Sequence, residues 1–197
     1  MRSTVFDSYT YSVLIVSSSE KFNSSIKPLL PDSDYYPIDT VNNEGAARRI
    51  ILERTYDLVV INSPLPDDFG ISLAADACRD GGGAVLLFVK SELYSEITDK
   101  VNKYGVFVLS KPTSPQAVSQ AFDWMKAMRN RLSGLEKKAV SLEDKMKEIR
   151  LINRAKWILI EQLKMTESDA HRYIEKQAMD RCVTRTEIAE TIIRTYN

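Results

Sequence analysis

Five short, largely apolar runs alternate with amphipathic stretches over the first part of the chain, and this alternation limits the fold more than any other feature. The runs are YSVLIV (11–16), YYPID (35–39), LVVI (58–61), AVLLFV (84–89) and VFVL (106–109). Each has the length and composition of a β-strand. Because strands that alternate with helices through short loops pair in parallel, the pattern predicts a parallel sheet with helices on both faces.

Five strand–helix units of this length are typical of a flavodoxin-like, doubly wound α/β domain. We place this domain at residues 1–125. The intervening stretches have the apolar spacing of helices, and the third one ends at the glycine run 81–83. The predicted helices are 21–30, 43–54, 71–78 and 92–103.

The pattern changes after this domain, because residues 116–163 contain no proline and a single glycine, Gly134. Apolar residues then recur in steps of three and four, which is a heptad seam and predicts a long coiled-coil helix with a stalk at residues 126–151. A stripe of this length needs a partner helix, and a parallel homodimer is the simplest source of one. The seam consists of Leu132, Leu135, Ala139, Leu142, Met146 and Ile149.

Two helix-start signals follow the stalk. Thr166 and Asp169 have the spacing of a capping box, and Thr184 and Glu187 form a complete one. Together with the end of the stalk helix, these signals predict a three-helix domain at residues 152–197. Its predicted core consists of Ile152, Ala155, Leu159, Leu163, Ala170, Ile174, Ala178, Ile188, Ala189 and Ile192.

The charged residues are unevenly distributed although the net charge is zero. Residues 1–125 carry 11 Lys and Arg against 16 Asp and Glu, residues 126–150 carry 8 against 4, and residues 151–197 carry 8 against 7. A surface for nucleic acid is therefore expected in the last third of the chain, where cations can face phosphates.

Several classes of protein are excluded by composition. Two distant cysteines and one histidine make neither a metal site nor a catalytic triad. We therefore expect no metal, no cofactor and no enzymatic activity. The start MRSTVFDSYT lacks the apolar core of a signal peptide, and the longest apolar run, 84–89, is too short to span a membrane. These features predict a cytoplasmic protein that makes no membrane contact.

The first domain resembles the receiver domain of two-component response regulators. The resemblance covers residues 11–125 and rests on VLIV (13–16), YDLVVINSPLP (56–66) with Gly70, and LSKP (109–112). It implies an acidic pair for Mg²⁺ after the first strand, a phospho-accepting aspartate after the third and a lysine after the fifth.

This sequence departs from that pattern at most of the positions that carry the chemistry. The acidic pair falls on Ser17 and Ser18, with Glu20 just beyond, and the acceptor falls on Asn62. Only Lys111 is retained. The hydroxyl residue after the fourth strand falls at Phe88 or Val89, and the aromatic switch position falls at Val108. Because an amide is a poor nucleophile and serine hydroxyls carry no charge to hold Mg²⁺, we expect a pseudo-receiver that is not phosphorylated.

The last domain resembles the ANTAR domain, the RNA-binding output of a family of response-regulator antiterminators. The matching stretch is INRAKWILIEQLKMTESDAHRYIEKQAMDRCVTRTEIAETII (152–193). Two positions depart from the family pattern, since Trp157 replaces the usual glycine and Ile160 a usual methionine. The resemblance implies binding to structured leader or terminator hairpins of RNA. The candidate contacts are Lys156, Trp157, Lys164, Arg172, Tyr173, Lys176, Arg181 and Arg185.

These observations predict a dimeric, RNA-binding transcription antiterminator. Lys156 is the leading phosphate contact because its alanine–lysine pair matches the family position by position, and Trp157 and Tyr173 are candidates for stacking on bases. The alternative is a dimeric interaction module or scaffold whose pseudo-receiver binds an unknown protein partner. A third interpretation is DNA binding by a helix-turn-helix. The basic charge is too sparse to favour it.

Overall fold

The computed structural model describes residues 9–79 and 83–196. Residues 1–8, which make up most of the start that was compared with a signal peptide, lie outside these ranges. Gly81 and Gly82 of the predicted helix stop also lie outside them. The described residues divide into two compact units, with the boundary between Ser133 and Gly134.

The first unit contains the five predicted strands, all parallel, in the order β2-β1-β3-β4-β5. The flavodoxin-like, doubly wound prediction is therefore confirmed. The strands are β1 (Tyr11–Val16), β2 (Tyr35–Val41), β3 (Leu58–Asn62), β4 (Ala84–Lys90) and β5 (Phe107–Lys111). The helices between them are α1 (Glu20–Ile26), α2 (Glu44–Glu53), α3 (Ile71–Arg79) and α4 (Tyr94–Val101).

Each face of the sheet has its own core, because successive side chains of a strand point to opposite faces. Leu14, Val59 and Leu87 pack on the side of α2, α3 and α4. Val13 and Val60 pack on the other side, against α1 and the start of α5 (Pro115–Leu163). The strands are buried on both faces, which explains why their sequences are continuously apolar.

The boundaries of two predicted helices were wrong. Helix α1 ends at Ile26, and residues 27–29 form a 3₁₀ turn that contains Pro28, which cannot continue an α-helix in its interior. The predicted helix 92–103 is α4 flanked by two short 3₁₀ turns. Gly105 follows the second of these turns with φ +80°, a backbone conformation that favours glycine.

The base of the sheet is fastened to α5 by one buried carboxylate. Asp57 accepts hydrogen bonds from the Tyr9 hydroxyl at 2.9 Å and from the Ser12 amide and hydroxyl, both at 2.9 Å. It also forms an ion pair with Arg129 of α5 at 3.0 Å. These bonds hold the first turns of α5 against the strands, at the edge opposite to Asn62 and Lys111.

The long predicted helix is observed as α5, which is unbroken over 49 residues. Most of the predicted seam is exposed in the single chain, where Leu135 is 54% and Leu142 is 62% accessible to solvent. Apolar side chains spaced by a heptad remain uncovered unless another helix packs on them.

The second unit is a three-helix arrangement of the end of α5 with α6 (Glu167–Arg181) and α7 (Arg185–Tyr196). Its core is the predicted one with one error, since Leu163 is 43% exposed and lies outside the cluster. Leu163 is the last residue of α5, and Lys164 immediately turns the chain away at φ +54°. Leu163 lies four positions after Leu159, so helical spacing alone placed it on the core face.

The predicted starts of the last two helices are confirmed. The Thr166 hydroxyl accepts a hydrogen bond from the Asp169 amide at 3.2 Å, and the Thr184 hydroxyl accepts one from the Glu187 amide at 3.2 Å. Such caps satisfy amides that the first turn of a helix leaves without partners. Met165 packs against the core just before α6, in the position of a hydrophobic staple.

Candidate functional site

Three polar side chains meet at the carboxyl edge of the sheet, where β1, β3 and β5 end. The Lys111 ammonium donates a hydrogen bond to Asn62 Oδ1 at 2.6 Å and another to the carbonyl of Ser63. The Asn62 amide donates to Ser17 Oγ at 3.0 Å. The strand order reverses between β1 and β3, and ligands of doubly wound domains bind at such a reversal. The geometry therefore brings Ser17, Asn62 and Lys111 into one connected chain.

The other two sequence candidates from this edge do not join the chain. Ser18 and Glu20 are exposed, and the helix N-cap is Ser19, whose hydroxyl accepts a hydrogen bond from the Phe22 amide at 3.3 Å. In the described residues, no group of three or more His, Cys, Asp or Glu side chains is placed to hold a metal ion.

At this edge the charged ammonium of Lys111 is hydrogen-bonded to neutral oxygen atoms. Burial of Lys111, and secondarily the charge of Lys90, lower the pKa of Lys111 from its ordinary value. Its two oxygen partners are an amide and a backbone carbonyl. Such an arrangement offers neither an anionic nucleophile nor carboxylate ligands for a divalent cation.

The remaining receiver positions carry apolar side chains. Phe88 and Val89 are both buried in β4, and Phe88 lies opposite Asn62 in the register of the two strands. Val108 is partly buried against the core beside α4. No hydroxyl therefore occupies the end of β4 at either predicted position.

The loop after β3 is held in place by a residue whose role the sequence did not reveal. Asp67 accepts hydrogen bonds from the amides of Glu44 and Gly45 at 2.9 and 3.0 Å, and these bonds lower the pKa of its carboxyl group. This carboxylate lies at the N-terminus of α2, where a negative charge is favourable. Gly70 closes the loop at φ +74°, and a Cβ there would lie 2.9 Å from Ile61, so glycine is required.

In the second unit, Lys156 and Trp157 lie beside a hollow of about 440 Å³ between the end of α5 and the start of α6. Trp157 is 64% exposed although it is a large aromatic residue. The Lys156 side chain is 16% exposed, and its ammonium lies 3.0 Å from a carboxylate oxygen of Glu167. The Glu167 carboxylate therefore competes with a phosphate for the Lys156 ammonium.

An adjacent hollow of about 430 Å³ shares Lys156 and carries further basic groups. Arg185 lines it and lies 3.5 Å from Glu148 and 3.9 Å from Glu175. Lys145 and His171 line it as well, and neither was a sequence candidate for RNA contact. Lys145 lies three turns before Lys156 on the same face of α5, whereas His171 lies on α6 and reaches this hollow only because the helices pack together.

The other sequence candidates lie outside both hollows in the part of the chain that the structure describes. Arg172 and Lys176 are one helical turn apart on the exposed face of α6, and Tyr173 is 38% exposed. Lys164 and Arg181 are exposed at the end regions of α5 and α6. The structure thus brings together Lys156, Trp157 and Arg185 out of the eight residues.

The first unit has the fold of receiver domains. The receiver domain of an HD domain-containing protein from Pseudomonas fluorescens Pf-5 superimposes with a TM-score of 0.55 at 21% identity, covering 62% of this chain and 90% of that one. The chemotaxis response regulator CheY4 of Vibrio cholerae gives 0.51 at 16% identity, covering 59% and 99%. At this identity the likeness establishes the fold.

The second unit is identified by its sequence. Residues 141–193 match the ANTAR domain. The chain carries an ANTAR domain. The match begins within the exposed part of α5 and ends in α7, so it includes both hollows and the cations around them.

One relative aligns with nearly the whole chain, including both units. The transcriptional regulatory protein PdtaR of Mycobacterium tuberculosis is 24% identical over 185 residues, which cover 93% of this chain and 89% of that protein. The likeness runs through the receiver fold and the ANTAR domain together. This combination is the architecture of a transcriptional response regulator. Within the described residues, no helix has the length and hydrophobicity to cross a bilayer.

Proposed function

We propose that this protein regulates transcription by binding structured RNA through its ANTAR domain and preventing the formation of terminator hairpins. The observation that carries the proposal is the exposed Trp157, which shares one hollow with Lys156, while Lys156 shares the adjacent hollow with Arg185. All three lie within the residues that match the ANTAR domain. Its site of action is the cytoplasm, where nascent transcripts are found. No catalytic step is part of the proposal.

The charge of this domain favours loops of RNA over plain duplexes. Residues 151–197 carry 8 Lys and Arg against 7 Asp and Glu, so a broad positive field is not available to attract a duplex. Binding has to use a few placed cations on phosphates together with stacking on unpaired bases. A-form helices hide their base edges in a deep groove, whereas hairpin loops present them.

The test compares a two-hairpin leader RNA with duplex DNA of equal length in a filter-binding assay across a salt series. We expect a preference for the RNA and a shallow salt dependence, with a slope of about −0.7 per phosphate contact in single-stranded segments. Lys156→Ala, Arg172→Ala and Arg185→Ala are expected to weaken binding while circular dichroism shows a folded domain. Equal affinity for RNA and DNA would leave the protein-interaction scaffold as the better reading.

The ion pair between Lys156 and Glu167 provides a sharper version of the same test. Glu167→Gln removes the carboxylate that holds Lys156 and is expected to strengthen RNA binding several-fold. Glu190→Gln, which removes an exposed carboxylate from α7, is the matched control. The role of Lys156 is contradicted if both variants strengthen binding equally, because the gain then reflects net charge alone.

We further propose that the receiver-like unit is not phosphorylated. Asn62 occupies the acceptor position, its amide group is hydrogen-bonded on both sides, and Ser17 replaces a metal-binding carboxylate. Incubation with acetyl phosphate and Mg²⁺ is therefore expected to leave the intact mass unchanged. A receiver that retains the acidic pair and the acceptor aspartate serves as the positive control. A stoichiometric gain of one phosphoryl group that disappears in Asn62→Ala would overturn this expectation.

We also propose that α5 forms a parallel coiled coil with a second copy of the chain. Four seam residues, Leu135, Leu142, Met146 and Ile149, are each more than half exposed. The seam repeats in heptads, and a second copy offers an identical seam in register. A dimer presents two ANTAR domains, and engagement of two hairpins raises avidity without new contacts.

A further inference from the structure

A groove runs along α1 and the start of α5, beside Asn62 and Lys111, and nothing in the proposed function uses it. Its volume is about 590 Å³, within the usual range for sites that bind small molecules. Its lining comes from α1 and the turn after it, the ends of β3 and β5, Phe88 of β4, and the start of α5.

The long walls of the groove are apolar. Phe22, Ile26 and Leu29 follow each other at helical spacing, and Val118 of α5 also lines it. Phe22 rests on Phe88 with the rings edge to face and their centroids 4.9 Å apart. The end of α1 and the following 3₁₀ turn carry the chain about 12 Å from Phe22 to Leu29, so the apolar part accommodates an elongated body of roughly eight carbon atoms.

The end of the groove nearest the sheet is polar and positively charged. Lys111 and Lys21 both line the groove, and no Asp or Glu is among the lining residues. The Lys111 ammonium has three N–H donors, and its two hydrogen bonds go to an amide oxygen and a backbone carbonyl. Partial burial, and secondarily the charge of Lys90, lower the pKa of Lys111. Ser19 and Thr113 add hydroxyl donors at the same edge.

We propose that this groove binds a small amphipathic carboxylate, with its carboxylate on Lys111 and its apolar body along Phe22, Ile26, Leu29 and Val118. The charge of the lining favours an anion over a neutral or cationic ligand. The length of the apolar walls favours a ligand with a chain or ring over a bare anion such as phosphate. The inference does not rest on RNA binding.

The first experiment titrates the full-length protein with octanoate and follows amide resonances by NMR. We expect saturable binding with a dissociation constant of about 1 mM or tighter, and shifts centred on Phe22 and Val118. Acetate and inorganic phosphate test whether an anion is sufficient, and octanol tests whether the apolar body is sufficient. Each of the three is expected to bind at least about tenfold more weakly than octanoate. Equal binding by any one of them, or shifts elsewhere in the protein, would overturn the proposal.

Two variants locate the ligand within the groove. Lys111→Gln is expected to weaken octanoate binding at least about tenfold, because it removes the charged donor. Lys27→Gln removes an equal charge from an exposed residue outside the lining and is expected to have no effect. Leu29→Glu places a negative charge on the apolar wall and is expected to abolish binding while the circular dichroism spectrum is retained. Unchanged affinity in either Lys111→Gln or Leu29→Glu would refute the site.

Discussion

The double variant Leu135→Asp with Leu142→Asp is expected to be a monomer of 22.4 kDa, whereas the wild-type protein is expected to be a dimer at micromolar concentration. Both leucines are more than half exposed in the single chain, so the substitutions disturb no intramolecular core. In a coiled coil each leucine contributes roughly 1.5–3 kcal/mol by burial, and the variant replaces this with facing carboxylates. Light scattering coupled to size exclusion measures the mass directly.

A matched control separates the seam from a general effect of added charge. Val140→Asp with Ser141→Asp introduces the same two carboxylates one position away from the seam, and Val140 is also exposed. This variant is expected to remain a dimer. A wild-type monomer at high micromolar concentration contradicts the coiled coil. A dimeric Leu135→Asp with Leu142→Asp protein would instead indicate association through the receiver-like unit.

The same monomeric variant is expected to lose RNA affinity although neither substitution lies in the core of the three-helix unit. Two linked domains that engage two hairpins gain about 10²-fold or more over one domain. The loss is therefore expected for a two-hairpin RNA and is expected to be small for a single hairpin. Equal losses on both RNAs would indicate damage to the domain itself.

Trp157→Ala is expected to weaken binding to hairpin RNA by roughly 5- to 150-fold, which corresponds to about 1–3 kcal/mol for one stacked base. The side chain is 64% exposed, so its removal leaves no cavity and is expected to change the melting temperature little. The salt slope is expected to stay constant because no phosphate contact is removed. Affinity across a salt series and thermal melting by circular dichroism measure these quantities.

Trp157→Phe provides the control for stacking, since it retains an aromatic face and is expected to recover most of the affinity. Tyr173→Phe removes only a hydroxyl group from the other candidate and is expected to have little effect. The stacking role of Trp157 is wrong if the alanine variant lowers the melting temperature by several degrees and the affinity loss follows from unfolding.

Much of the fold was predictable because it depends on local pattern. The five strands are apolar throughout since the sheet is buried on both faces, and the helix starts at Thr166 and Thr184 are read from residues three positions apart. The boundaries were less predictable. Pro28 stops α1 although the apolar spacing continues to Leu30. Leu163 was wrongly assigned to the core because helical spacing from Leu159 alone placed it on the core face.

The sequence by itself determined which chemistry is missing from the receiver-like unit. Ser17 and Asn62 stand where carboxylates are needed, and a residue type does not depend on packing. It also determined the heptad seam and the match to the ANTAR domain, because both are repeated or spaced patterns along one stretch of chain.

Only the tertiary structure decided which side chains face one another. Lys111 reaches Asn62 across 49 residues, Asp67 caps a helix that begins 23 residues earlier, and Glu167 holds Lys156 across a change of helix. The groove between α1 and α5 joins segments about 90 residues apart in the same way. Periodicity places a residue on a face of its own helix or strand, whereas these contacts depend on how separate elements pack, which no local pattern encodes.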